Sequence, residues 1–297
     1  MAQLEHRAEP QTVEHRGCQL HYYKQGSGPP IVMIEGVGIE HCGSQLQVES
    51  LRSHWTCLCF DNRGIGKSQP QSTPITTAQM AEDVLAVMQA AGWGSAHLLG
   101  HSLGGMVAMQ TALLAPNRVR SLTLICTFAD GSRIAPLSPR LMWRMLRVKL
   151  GSRRMRRHGF LRIMFPAAYL AGQDLDQLAV RVGELFGHDL AEMPVVSYEQ
   201  LAALRATNLT QQLSQLARLP ALNLIGLRDL IVPPRLSREI TAQMANCQQV
   251  EYPSASHGLP IQLANEVNAV IAEHLLAAER AWAARTDPVQ PTAALTN

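Results

Sequence analysis

Apolar positions along the chain fall into two periods. Thr12 to His15 and Cys18 to Lys24 alternate on either side of Gly17, which predicts an antiparallel hairpin at a sheet edge. Ile31 to Ile34, by contrast, is apolar without a break, as in a strand buried on both faces. Further strands are predicted at Thr56 to Phe60, Val119 to Cys126, Ala221 to Gly226 and Gln249 to Tyr252. Between them the spacing becomes helical. Thr76 to Ala91 places Met80, Val84, Leu85, Val87 and Met88 on one face behind a threonine cap, and Leu259 to Ala284 forms a long amphipathic helix. Strand and helix in alternation predict an α/β fold around a mostly parallel, doubly wound sheet.

From about residue 131 to residue 212 the strand-like runs vanish, and helical stretches such as Pro139 to Leu150 and Leu175 to Phe186 replace them. The expected organisation is a core from 1–130 and 213–285, a helical insertion over 131–212, and a disordered tail over 286–297. Composition changes this picture little. The 297 residues are 46% hydrophobic and 16% charged, with a net charge of +3. That charge is too small to imply a nucleic-acid partner. The first 17 residues mix both signs and contain no apolar run, so no signal peptide or anchor is expected. The six cysteines form no C-x-x-C pair, which suggests reduced thiols and a cytoplasmic protein. No H-E-x-x-H string or cysteine pair at zinc spacing is present, so no metal or cofactor is expected.

The most informative stretch is Ala96 to Leu114, AHLLGHSLGGMVAMQTALL. An apolar strand runs into Gly100-His101-Ser102-Leu103-Gly104-Gly105 and then into a helix. A serine at the apex of so sharp a turn has a strained backbone, and Gly100 and Gly104 remove the β-carbons that would collide where strand meets helix. The helix N-terminus beside it offers N–H groups to developing negative charge. Two other glycine loops fail on spacing as nucleotide sites. A P-loop ending at Gly66 would need glycine where Asp61 stands, and a dinucleotide fingerprint from Gly36 would need it at His41.

With this elbow, the turn Asp61-Asn62-Arg63-Gly64-Ile65-Gly66-Lys67-Ser68, the string Gly226 to Pro233 and the loop Ser254 to Gly258, the chain resembles the α/β-hydrolase fold superfamily, in its branch of capped serine hydrolases. The resemblance spans roughly Val13 to Ala284. It implies Ser102 as nucleophile, His257 as base and Asp229 as the acid that orients it, in the chain order Ser, Asp, His. It also implies backbone N–H groups of Val37 and Leu103 as the oxyanion hole, with Glu35 standing where the family often has histidine. Met106, Phe128, Leu230, Ile231 and Leu259 are expected to line the substrate pocket, and the helical insertion to form the cap over it. Asp61 and Arg63 read as a structural turn. Asp130 is the competing acid, and His101 the competing base.

The activity implied is hydrolysis of small or medium acyl esters or lactones through an acyl-serine. Carbon–carbon bond hydrolysis, cofactor-free haloperoxidase or perhydrolase activity, acyl transfer and a receptor-like binding role stay open. Serine at position 102 argues against the dehalogenase and epoxide hydrolase relatives, which need aspartate there. One charge feature lies outside this scheme. No acidic residue falls between Asp130 and Asp174, while Arg133, Arg140, Arg144, Arg147, Lys149, Arg153, Arg154, Arg156, Arg157 and Arg162 do. A soluble lid face is the simpler reading, and attraction of anionic substrates or contact with a membrane surface is the alternative.

Overall fold

A computed structural model describes residues 9–69, 74–133 and 151–286. Eight strands form one sheet: β1 Gln11–His15, β2 Cys18–Gly26, β3 Pro30–Ile34, β4 Thr56–Phe60, β5 Ala96–His101, β6 Val119–Ile125, β7 Ala221–Gly226 and β8 Cys247–Tyr252. Their order across the sheet is β1-β2-β4-β3-β5-β6-β7-β8. The edge hairpin β1–β2 is antiparallel and β2 meets β4 antiparallel, while every pair from β4 to β8 is parallel. The expected strands are therefore all present, within two residues at either end.

The period of two along the strands divides the interior into two cores. Val32, Ile34, Leu98, Leu122 and Leu124 point to one face, where Met80, Val84, Met106 and Val107 cover them. Ile31, Met33, Leu99, Ile125 and Leu224 point to the other, under Val267, Ile271 and Leu275. Burying each large aliphatic side chain contributes roughly 1.5–3 kcal/mol.

The helices are α1 Gln45–Leu51, α2 Thr77–Ala90, α3 Leu103–Leu114, α4 Arg153–Met164, α5 Ala167–Leu170, α6 Leu175–Phe186, α7 Ser197–Ala206, α8 Pro234–Gln243, α9 Leu259–Gln262 and α10 Ala264–Thr286. Thr76 caps α2 by accepting the Gln79 N–H, and Asp174 caps α6 by accepting from Asp176 and Gln177. The long terminal helix expected from Leu259 is interrupted at Leu263, so α9 and α10 are separate. Apolar periodicity does not reveal α1 or α8. The former buries two glutamines and has no capping bond, which hides its period, and the latter is short and opens on two prolines.

Between β6 and β7 the described residues 151–206 carry the four helices α4 to α7, joined by turns. Leu161, Met164, Phe165, Leu178, Val182 and Phe186 form a third apolar cluster there, which also takes in Ile39 from the loop after β3. Among the described residues no helix is long and apolar enough to cross a membrane. The helix expected over Pro139 to Leu150, with Arg140, Arg144, Arg147 and Lys149, lies outside the described residues, as do the first eight residues and the tail from 287 on.

Candidate active site

Ser102 ends β5 and opens α3 with φ 55 and ψ −119. A non-glycine residue in that conformation is strained, and it persists only where its surroundings over-determine it. Here they do. The Ser102 N–H donates to Ile125 O at 2.9 Å, and its carbonyl accepts from Gly105 N–H at 3.0 Å and from the Thr127 hydroxyl at 2.6 Å. Glycine is required on both sides. A β-carbon on Gly104 would sit 1.9 Å from Ile34 O, and one on Gly100 2.3 Å from Gly104 O.

His257 lies in the loop after β8, and its Nδ1 is 2.8 Å from Asp229 Oδ2, both groups being buried. The carboxylate can only accept, so the shared proton sits on Nδ1 and Nε2 is left as the basic nitrogen. Asp229 follows β7, and its second oxygen, Oδ1, accepts the N–H groups of Ile231 and Val232, each at 2.8 Å. The backbone thus fixes the carboxylate through Oδ1 and leaves Oδ2 for the imidazole. Asp130, the competing acid, turns Oδ1 back to the N–H and hydroxyl of Ser132 in its own loop.

His101, the competing base, packs its ring 4.8 Å from that of His257 and donates from Nε2 to His257 O at 3.0 Å. Burial, with a smaller contribution from His257, lowers its pKa to about 3. It therefore stays neutral and braces the His257 backbone. Among the described residues Ser102 Oγ and His257 Nε2 form no hydrogen bond; such bonds are often long before substrate binds. Ser102 and His257 are both buried, at 8% and 4% exposure.

The loop Glu35-Gly36-Val37-Gly38 runs beside the elbow, and a β-carbon on Gly36 would be 3.5 Å from Ser102 Cβ. Neither the Val37 nor the Leu103 N–H donates a hydrogen bond among the described residues. Glu35 itself is buried and accepts the Ser44 hydroxyl. Burial, partly countered by Ser44, raises its pKa to about 7. Glu35 also lines a small cavity of about 20 Å³, room for one water molecule, together with Ser44, Gln47 and His101.

The five apolar residues expected to form one pocket wall are divided. Met106 and Phe128 are fully buried in the core on the α3 face, with Ile231 half-buried against it. Leu259 is buried in the opposite core, and Leu230 is 49% exposed. The expected turn residues occupy structural contacts. Asp61 accepts from the N–H groups of His41 and Lys67, and buried Arg63 pairs with Asp83 while donating to the carbonyls of His15 and Arg16.

Among the described residues, two groups of potential metal ligands come within 4.8 Å: His101, Cys126 and His257, and Glu40, His41 and Asp61. Sequence spacing does not reveal them, because they assemble from separate strands and loops. Their atoms are largely engaged already, as in His257 Nδ1 with Asp229 and His41 Nδ1 with Asp61. All six cysteines are free thiols. Of the basic residues, Arg153 and Arg157 pair with Asp189, Arg154 with Asp176 and Arg133 with Glu239. The acids that balance them lie beyond the stretch whose lack of acidic residues made it look uncompensated.

The sequence profile of the alpha/beta hydrolase fold family matches residues 29–262. A protein of Azorhizobium caulinodans carrying the name carbamate hydrolase RutD is 37% identical over 108 residues, 36% of this chain and 41% of its own length. The match thus spans well under half of that relative. A protein of the same name from Stutzerimonas stutzeri is 26% identical over 86% of this chain and 95% of its own. Among solved structures, a hydrolase from Pseudomonas aeruginosa superposes with a TM-score of 0.75 at 26% identity, covering 91% of this chain and 99% of that one. The enol-lactonase from Burkholderia xenovorans gives 0.74 at 23% identity, over 90% and 100%, a likeness of fold alone.

Proposed function

The chain belongs to the alpha/beta hydrolase fold family, and within it we propose that this protein is a serine hydrolase of small or medium carboxylic esters or lactones, working through Ser102, His257 and Asp229. The observation that carries the reading is the buried His257–Asp229 pair on the loops that follow β7 and β8, alongside a serine held at φ 55.

In the proposed reaction, Ser102 Oγ bonds to the carbonyl carbon as His257 Nε2 takes its proton. The oxyanion so formed accepts from the Val37 and Leu103 N–H groups, each worth on the order of 3 kcal/mol by the usual effect of removing one such donor. The imidazolium, stabilised by Asp229, returns the proton to the departing alkoxide. Water then repeats the sequence on the acyl-serine, releasing the acid and restoring the hydroxyl. Helices α4 to α7 act as the cap in this reading. The name of the full-length relatives makes carbamates the second substrate class, because the same attack on a carbonyl serves both.

A panel of p-nitrophenyl esters, lactones and aryl carbamates, with fluorophosphonate labelling, tests this. The wild-type protein is expected to label once and to turn over one of these classes. Ser102→Ala is expected to abolish labelling and lower kcat by on the order of 10⁶. Undiminished turnover in Ser102→Ala would overturn the assignment.

A further inference from the structure

The loop after β3 is clamped between the elbow and the helical insertion. On one side, Gly36 lies against Ser102 Cβ and His101 O. On the other, Gly38 adopts φ +77, and a β-carbon there would sit 2.7 Å from Ser197 Oγ on α7. Three residues along the same helix face, Gln200 reaches the same glycine, and its Oε1 accepts the Gly38 N–H at 2.9 Å. Ser197 and Gln200 are both fully buried. Residues 162 positions apart are thereby joined by one bond.

That bond has an unusual accompaniment. Gln200 Nε2 and Ser197 Oγ are both buried without a partner. The Gly38 N–H needs an acceptor, which fixes the orientation of the amide and strands its NH₂ end. Leaving a buried donor unpaired costs about 1–3 kcal/mol, a cost that methionine at this position would avoid while filling similar space. What glutamine supplies and methionine lacks is the acceptor on Gly38. Val37, next to it, has no backbone hydrogen bond of its own among the described residues, so its placement depends on its neighbours.

We propose that Gln200 is a positioning residue, which fixes the Val37 N–H for the oxyanion by holding the Gly38 backbone from the inserted helix. The inference rests on the reading of Ser102 as the nucleophile. Oxyanion donors act within a few tenths of an ångström of the ideal distance, and misplacement by about 1 Å can cost 10²-fold. Gln200 touches no reacting atom. It sets where the donor stands when charge develops.

Gln200→Met, Gln200→Glu and Gln200→Asn, assayed on the best p-nitrophenyl ester, test the proposal. Gln200→Met is expected to lower kcat on the order of 10- to 100-fold with KM within about threefold. Affinity for a boronic acid, whose serine adduct mimics the tetrahedral intermediate, is expected to fall by the same factor. Gln200→Glu, which keeps an acceptor, is expected to restore kcat to within about threefold of wild type, a rescue that a purely structural contact would not give. Folded Gln200→Met with unchanged kcat and boronate affinity overturns the proposal, and so does Gln200→Glu impaired as deeply as Gln200→Met. Should the methionine variant fail to fold, Gln200→Asn, which withdraws the acceptor by one methylene, decides by the same criterion. A wild-type protein that neither labels with fluorophosphonate nor turns over ester removes the nucleophile reading and this inference together. Labelling with normal turnover in the variants removes this inference alone.

Discussion

At the elbow between β5 and α3, backbone presses on backbone. Gly104 lies against the carbonyl of Ile34 and Gly100 against that of Gly104, and every polar group of the Ser102 main chain is held. On the outer face of the inserted helices, by contrast, a polar contact such as Arg154 with Asp176 is made by exposed side chains. Interactions of the first kind have no substitute, because no other side chain can occupy the space. Those of the second kind are solvated and individually weak. The region proposed for the chemistry is therefore the rigid one, and the outer face of the inserted helices is free to vary.

Two glycines test this contrast most severely. Gly104→Ala is expected to destabilise the protein by more than about 4 kcal/mol, because its new methyl would meet strand backbone. Gly172, between α5 and α6, has nothing within 4 Å of an added β-carbon, and Gly172→Ala is expected to stay within about 0.5 kcal/mol of wild type. Urea unfolding of the two variants checks both, and equal losses would erase the distinction.

Glu35 sharpens it on the elbow side. Its folded-state pKa of about 7 exceeds the ordinary 4.5, chiefly through burial, so between these values the folded chain holds a proton that the unfolded chain has released. The contribution is fully present below about pH 4.5 and is lost as pH rises through 7. Glu35→Gln, neutral throughout, is expected to gain stability over wild type from pH 5 to pH 8, by as much as about 3 kcal/mol. Parallel stability–pH curves for the two proteins would show that this carboxyl is not held protonated. The smallest effect is expected at the ion pairs. Arg154 is 72% exposed and its partner Asp176 51%, so Arg154→Ala is expected to leave Tm without resolvable change in a thermal melt.

The same contrast explains what could be read from the chain alone. Thr56 to Phe60 and Ala221 to Gly226 are recovered to the residue, because strands buried on both faces are mostly apolar, with Asn223 the one polar residue inside the second. The strain at Ser102 was legible in Gly100 and Gly104, since only a backbone collision demands glycine at both places. Asp229 and His257 came from resemblance, and nothing in their local pattern says that they meet. That the five expected pocket residues do not share one wall was hidden for a related reason. Met106 and Leu259 follow the elbow and the histidine loop closely in sequence, yet their side chains turn into opposite cores. Gln200 was invisible for want of any motif, as its partner is a main-chain N–H far away in the chain.

The strand order carries one more consequence. Ser102 leaves the sheet from β5, a central strand, whereas His257 hangs from the loop after β8, whose outer side has no neighbouring strand. Fraying begins at borders. Heat or denaturant is therefore expected to unseat the imidazole while the seryl strand still holds its place, so that the proposed activity would be lost before the protein melted.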